Sequence, residues 1–360
     1  MPMKILHIYP KNDDMIMRHV SLLSEGMRLS ADVQVATSLS EFKTRFQQQN
    51  PDIVHCHGCW QYAIVSAAHM ARKRGARVVL TPHGQLQPWV LEEHSLHEKL
   101  QKALLWQRRS VEQAYALIAF GKMELKHLQK LKWNPRIEMI LNALITNSTT
   151  PQEMCSQTYA VYQKVLDSNT LEQMDEHSLN MLATIIKAGT LGDARWCQKS
   201  EYWNQRIDWR RLLIYAEHQN IRNYVDYGIT ILGLSALSLD TEHLPAYFPE
   251  SYQRPQSIKK LIGNYKGDET DYLLRMIRQI EKQPLMLHLI ELTRELYRES
   301  VNDDRLKVAL EEKGLTKYAS RLMQVLSEQT LLEEGFMPID SLDDRGTQQI
   351  RNNINNHLKI

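Results

Sequence analysis

The chain has 360 residues, enough for two domains and a sizeable buried core. Hydrophobic residues make up 43% and charged residues 24%, the proportions of a soluble globular protein, and four cysteines are too few and too scattered for a disulfide framework. The net charge of +2 hides an asymmetry: residues 1–150 carry 19 Lys+Arg and 12 Asp+Glu, whereas residues 151–360 carry 25 and 30.

The opening MPMKILHIYP is a strand pattern that ends at Pro10, with too short an apolar run for a secretory signal. Residues 15–29 follow as a helix, with Ile16, Val20, Leu23 and Met27 on one stripe. Residues 33–36 form a second strand, and residues 40–49 a polar helix with Ser40 as its N-cap. Pro51 stops that helix, and residues 52–56 read as a third strand. Residues 60–74 are helical and end at Gly75; residues 77–81 form a fourth strand, halted by Pro82. A long amphipathic helix is expected over residues 95–113, a fifth strand over 116–120, a helix over 122–131 and a sixth strand over 137–141. Ile- and Val-rich strands alternating with helices predict an α/β fold, a Rossmann-like, doubly wound and mainly parallel sheet over residues 1–148.

The rhythm changes at Asn147–Pro151, a polar boundary marked by proline. Beyond it the periodicity is helical, over residues 159–166, 179–188, 210–218, 221–232, 271–281, 287–299, 305–312 and 318–332. Residues 151–360 are therefore expected to form an all-α domain. The longest nearly apolar run, residues 229–239, falls well short of the ~20 residues that span a bilayer, so the chain is expected to be cytoplasmic, or peripheral at the inner membrane face.

In an open α/β sheet, the loops at the carboxyl ends of the strands build the binding crevice. Three such loops carry chemistry here: residues 10–14 (PKNDD), 55–60 (HCHGCW) and 81–89 (TPHGQLQPW). Two of them combine His, Gly and Trp. Imidazoles exchange hydrogen bonds with hydroxyl groups, glycine lets a ligand approach the backbone, and Trp offers a stacking face, a grouping that suits a sugar or sugar phosphate.

The segments PDIVHCHGCW, VVLTPHGQLQPWVL and RIEMILNALI, in this order and spacing, resemble the acceptor-side half of family-four glycosyltransferases, over about residues 3–148. Those enzymes have the GT-B architecture of two Rossmann-like domains. The resemblance implies transfer of a sugar from a nucleotide-sugar to a saccharide or lipid-linked acceptor, with retention of configuration, no metal and no other cofactor. It places His83 as the catalytic histidine facing the transferred sugar. His57, Gly58, Trp60, Gly84, Gln85 and Trp89 would line the acceptor cleft, and Asn142 matches the hinge asparagine, followed by Ala143 where the family has glycine. The implied setting is cell-surface polysaccharide or glycolipid assembly.

Two departures qualify it. The family's Gly-Gly loop after the first strand, which cradles the donor diphosphate, reads Lys11-Asn12-Asp13-Asp14 here, leaving Lys11 and Asn12 as the donor-phosphate candidates beside two helix-capping carboxylates. The second half lacks the strand alternation of a donor domain. The alternative is therefore a non-catalytic saccharide-binding or scaffold subunit, or one completed in trans by a partner transferase; no nucleic-acid polymer is expected as a partner.

Other features divide between a functional and a plain reading. Cys56 and Cys59 are better explained by a structural or cleft role than by metal or redox chemistry, since no second pair exists. The basic first half suits an anionic partner, such as a diphosphate, a lipid-linked phosphate or an anionic membrane surface, and charge drift between two domains explains it equally well. Leu96, Lys99, Leu100, Lys102, Leu104, Leu105, Trp106, Arg108 and Arg109 could press on such a membrane, but they also fit an ordinary surface helix. Trp196, Tyr202, Trp203 and Trp209, with Arg195, Arg206, Arg210 and Arg211, read as helix packing with solvated arginines rather than a binding surface.

Overall fold

The strand patterns of the first half assemble into one sheet in the computed structural model, which describes residues 2–95, 98–168, 174–195, 197, 207–249, 252–263, 265, 267–298 and 301–356. The chain divides into two units, Met1–Asn169 and Thr170–Ile360. In the first, the elements run β1 (Met3–Ile8), α1 (Asp14–Gly26), β2 (Ala31–Ala36), α2 (Leu39–Gln49), β3 (Ile53–His57), α3 (Tyr62–Lys73), β4 (Arg77–Thr81), α4 (Pro88–Ser95), α5 (Glu98–Glu112), β5 (Ala116–Ala119), α6 (Lys122–Leu131), β6 (Ile137–Met139) and α7 (Pro151–Asp167). All strand pairs are parallel, in the order β2-β1-β3-β4-β5-β6. The strand order reverses between β1 and β3, and the carboxyl ends of both lie on the same edge.

Alternation decides what each face of the sheet carries. Leu6, Ile8, Val54, Cys56, Val78, Leu80, Leu117 and Ala119 join Phe42, Ile64, Ala68 and Leu128 in a dry core under α2, α3 and α6. The intervening positions bring His7, His55, His57 and Thr81 to the other face, since His7 pairs with His55 and His57 with Thr81 in register.

Several boundaries differ from the sequence expectation, each for a local reason. Ser38, not Ser40, caps α2: its hydroxyl accepts from the Glu41 N–H at 3.2 Å, and the Glu41 carboxylate returns to the Thr37 N–H at 2.9 Å. Trp60 stands outside α3 because its φ of 68° is left-handed, which a right-handed helix excludes. The helix expected over 95–113 is α5, and a further helix, α4, precedes it over Pro88–Ser95. Pro151 opens α7 rather than closing a domain. Thr150 forms a capping box with Glu153, and proline suits the first helical position because its missing N–H has no partner there to lose. Accordingly α7 belongs to the first unit.

The second unit contains α8 (Glu176–Leu191), α9 (Trp209–His218), α10 (Arg222–Leu232), α11 (Ile258–Ile262), α12 (Glu269–Lys282), α13 (Met286–Leu296), α14 (Asp303–Glu312), α15 (Thr316–Gln329) and α16 (Arg345–Asn356). Its described residues contain no strand. Ile185, Tyr215, Ile277, Ile290, Leu322 and Leu326 are among the residues of its continuous apolar core. No helix among the described residues is long and apolar enough to cross a membrane. In α5, Leu105 is exposed and Arg108 pairs with Glu112, while Leu96 and the side chains of Lys99, Leu100 and Lys102 lie outside the described residues. Trp196, Tyr202, Trp203 and Arg206 also lie outside them; Trp209 packs on the helical core and Arg195 pairs with Asp193.

Candidate functional site

The carboxyl edge of the sheet gathers five imidazoles. His7 comes from β1, His55 and His57 from β3, His83 from the loop after β4, and His19 from α1, where it interrupts the apolar stripe of Ile16, Val20 and Leu23. The cluster is continuous. Ring centroids are 3.9 Å apart for His55 and His57, 5.2 Å for His7 and His57, 5.4 Å for His57 and His83, and 5.3 Å for His19 and His83. Phe120, at the end of β5, lies 4.8 Å from the ring of His19 and 4.9 Å from that of His83.

Hydrogen bonds order these rings. His7 Nδ1 lies 2.9 Å from His57 Nε2, and His57 Nδ1 lies 3.2 Å from His83 Nε2, a chain that runs from the sheet out to the loop. His55 is held at both nitrogens, by Tyr162 of α7 at 2.6 Å and by Thr81 at 2.7 Å. His19 makes a side-chain hydrogen bond with Asn142.

Burial sets the charge state. His7, His55 and His57 are fully buried and His19 nearly so, whereas His83 is partly exposed. Loss of hydration holds His7 down to about 3 and His19 to about 4, and keeps His55, His57 and His83 well below the usual imidazole range. The rings near one another would repel as cations, which adds to the effect. At neutral pH the cluster is a set of neutral donors and acceptors rather than a positive patch.

The loop that presents His83 is held from below. His83 and Gly84 both have left-handed backbones, with φ of 52° and 76°. Glu124, at the start of α6, accepts from the Gly84 N–H at 2.7 Å and from the Phe120 N–H at 2.8 Å. Its burial raises its pKa, and the two N–H donors pull the other way. Gln85 ties this loop to the next: its Oε1 accepts from the Cys59 N–H at 2.5 Å, and its carbonyl accepts from the Trp60 indole N–H at 2.7 Å. Gly58 has φ of 87° and donates its N–H to the Thr81 carbonyl at 2.8 Å; a Cβ there would crowd Gln85 Oε1 at 3.3 Å.

The structure thus brings His57, Gly58, Trp60, His83, Gly84 and Gln85 together, but not in one role. His57 and Gly58 are buried behind His83, so the His57 side chain touches the His83 ring and not solvent. Trp89 is 61% exposed on α4. Lys11 and Asn12 are exposed on the loop after β1. The start of α1 beside them is occupied: Asp13 Oδ1 accepts from the Ile16 N–H at 3.0 Å, and Asp14 adds a second carboxylate. An incoming phosphate meets the carboxylate that already caps this terminus. Cys56 lies in the core on the opposite face of the sheet and, like Cys59, is a buried free thiol.

Sequence reasoning missed His7, His19, Tyr162 and Glu124. His7 had a signal, a lone polar residue in an apolar strand in phase with His55. His19 had a weaker one, a polar residue on an apolar helical stripe. Tyr162 stands 107 positions from His55, and nothing local connects them.

No curated protein matches the chain. Residues 18–143, which include His19, His57, His83 and Asn142 but not β1 or its loop, match the family model described as a glycosyl transferase 4-like domain.

Proposed function

We propose that this protein serves glycosyl transfer in cell-surface polysaccharide or glycolipid assembly, with the first unit holding the saccharide or lipid-linked acceptor. The observation that carries the reading is His83, a neutral imidazole at the carboxyl edge of a parallel sheet, aimed by His57 behind it and by a loop that Glu124 fixes. A neutral ring donates to or accepts from sugar hydroxyls without attracting every passing anion. In the transfer, the acceptor hydroxyl oxygen bonds to the anomeric carbon as the bond from that carbon to the nucleotide diphosphate breaks, and the hydroxyl proton leaves with the departing phosphate or solvent. His83 positions the reacting hydroxyls, and Gly84, Gln85 and Trp60 shape the cleft beside it.

The donor is the demanding side. Stabilising a leaving diphosphate needs aimed N–H groups or cations. Lys11 and Asn12 are the groups nearest the start of α1, and Asp13 and Asp14 oppose them. This favours a second reading in which the chain binds the saccharide and a partner transferase supplies the nucleotide-sugar site. One experiment separates the two. The purified chain is titrated with UDP-, GDP- and CMP-sugars and screened on an oligosaccharide array, beside His83→Ala. Self-sufficient transfer requires nucleotide-sugar binding. Saccharide binding alone, weakened at least tenfold by His83→Ala, identifies the acceptor-binding subunit. Saccharide binding or transfer undiminished in His83→Ala removes His83 from the site.

A further inference from the structure

Two sets of three histidines place one ring nitrogen each within 4.8 Å of one another: His7, His55 and His57, and His19, His57 and His83. They are not equivalent. Both nitrogens of His55 are taken, by Tyr162 and Thr81, so ligation by the first set would break one of two short hydrogen bonds inside a buried layer. In the second set the ion would replace a single, longer contact, that of His57 Nδ1 with His83 Nε2. His19 Nδ1 is buried and has no hydrogen-bond partner among the described residues, although its ring is 98% buried and such a nitrogen ordinarily finds one. His57 Nδ1 and His83 Nε2 are 3.2 Å apart. Two imidazole nitrogens on one tetrahedral zinc ion, each bound at about 2.0–2.1 Å, stand roughly 3.3 Å apart.

We propose that His19, His57 and His83 form a binding site for a borderline divalent cation of the Zn²⁺ class, with its fourth position open toward solvent at His83. Three neutral imidazoles and one open position make a donor set that suits zinc, cobalt or copper and not magnesium or calcium, which take oxygen ligands. The outer groups are in place. With its proton on Nε2, donated to His7 Nδ1 at 2.9 Å, His57 would leave Nδ1 for the metal, and His19 has Asn142 as a side-chain partner. The aromatic edge of Phe120 closes the side toward β5. The site rests on imidazole geometry; a bound ion would take the place of the His57–His83 contact that aims His83 in the acceptor reading, so the metal-bound and sugar-facing states of His83 are alternatives.

The test uses the full chain, freed of metal by chelation and titrated with Co²⁺. The expected result is one equivalent bound, with the intense visible bands of a low-coordinate nitrogen site, displaced by Zn²⁺ and unaffected by Mg²⁺. His83→Asn, at a partly exposed position, and His19→Leu, which leaves no stranded polar group, are each expected to weaken Co²⁺ binding at least a hundredfold. His243→Ala, on the surface of the helical unit, is expected to leave it unchanged. Circular dichroism confirms that the variants fold. Absence of stoichiometric binding, a weak six-coordinate spectrum, or binding that survives both His83→Asn and His19→Leu overturns the proposal. The wild-type spectrum decides the matter even if His19→Leu does not fold. Saccharide binding is measured with and without metal, so that failure of the metal site and failure of the acceptor reading are seen separately.

Discussion

Glu124 shows how one side chain positions a site it does not enter. Its two oxygens accept from the backbone N–H groups of Gly84 and Phe120, so the His83 turn and the end of β5 share one carboxylate. Removing it leaves two donors without their acceptor in a mostly buried place, which costs about 1–3 kcal/mol. Glu124→Ala is expected to destabilise the first unit by that amount and to weaken saccharide binding; Glu124→Gln, which keeps one good acceptor, is expected to lie between Ala and the wild type. Denaturant unfolding followed by circular dichroism measures both, and a Glu124→Ala protein as stable as the parent contradicts the assignment. The cysteines give a second prediction at this scale. Burial pushes the Cys56 thiol up to about 12 and Cys59 well above its ordinary value, so both remain protonated thiols through pH 8. Iodoacetamide at pH 8 is expected to leave them unmodified in the native protein and to label them after denaturation, as peptide mass mapping reports. Rapid native labelling of either would revive a redox role for the pair. The sequence showed His83 and its loop because the residues are contiguous. It did not show that His57 is buried behind His83, because burial on the α1 and α7 face depends on His19 and Tyr162, which arrive from distant elements.

Elements pack according to what their sequences leave room for, and α8 against α10 is the sharpest case. A Cβ on Gly189 would lie 1.9 Å from the Tyr224 carbonyl oxygen, and one on Gly228 would lie 2.0 Å from the Ile185 carbonyl oxygen. The helices therefore meet backbone to backbone, each glycine seated on the other's carbonyls, and neither obstacle is a side chain that can swing away. Gly189→Ala and Gly228→Ala are each expected to destabilise the helical unit by about 1–3 kcal/mol or more, through forced separation of the pair. The gain in intrinsic helix propensity, about 1 kcal/mol, works in the opposite direction and is too small to rescue either variant. Thermal unfolding followed at 222 nm checks this, and a neutral or raised melting temperature contradicts the close approach. The sequence announced both helices by periodicity but not their contact, since a glycine inside a helix looks the same whether it faces solvent or a neighbour's backbone. The cap of α2 was similarly hidden: Ser38 and Ser40 are equivalent until the Glu41 carboxylate chooses between them.

At the scale of the whole molecule, the two large apolar clusters among the described residues have no member in common. One lies under the sheet around Leu6, Val54, Leu80 and Leu117, and the other among the helices around Ile185, Tyr215, Ile277 and Leu322. The change of periodicity along the chain made the two fold classes legible, because period 2 and period 3.6 are set locally. The limit of the first unit was less legible: α7 has the helical period of the second half, yet its Tyr162 reaches His55 and its Cys155 the Leu22 carbonyl, contacts of separation 107 and 133 that no local pattern encodes. Separate cores make separate unfolding the expected behaviour, since cooperativity requires shared buried contacts. Calorimetry of the full chain is expected to resolve two transitions. Glu124→Ala should lower the one belonging to the sheet and leave the other in place, and Gly228→Ala should do the reverse. A single transition displaced by both substitutions would show the cores to be thermodynamically one, and stability changes in either unit would then be felt at the imidazole cluster.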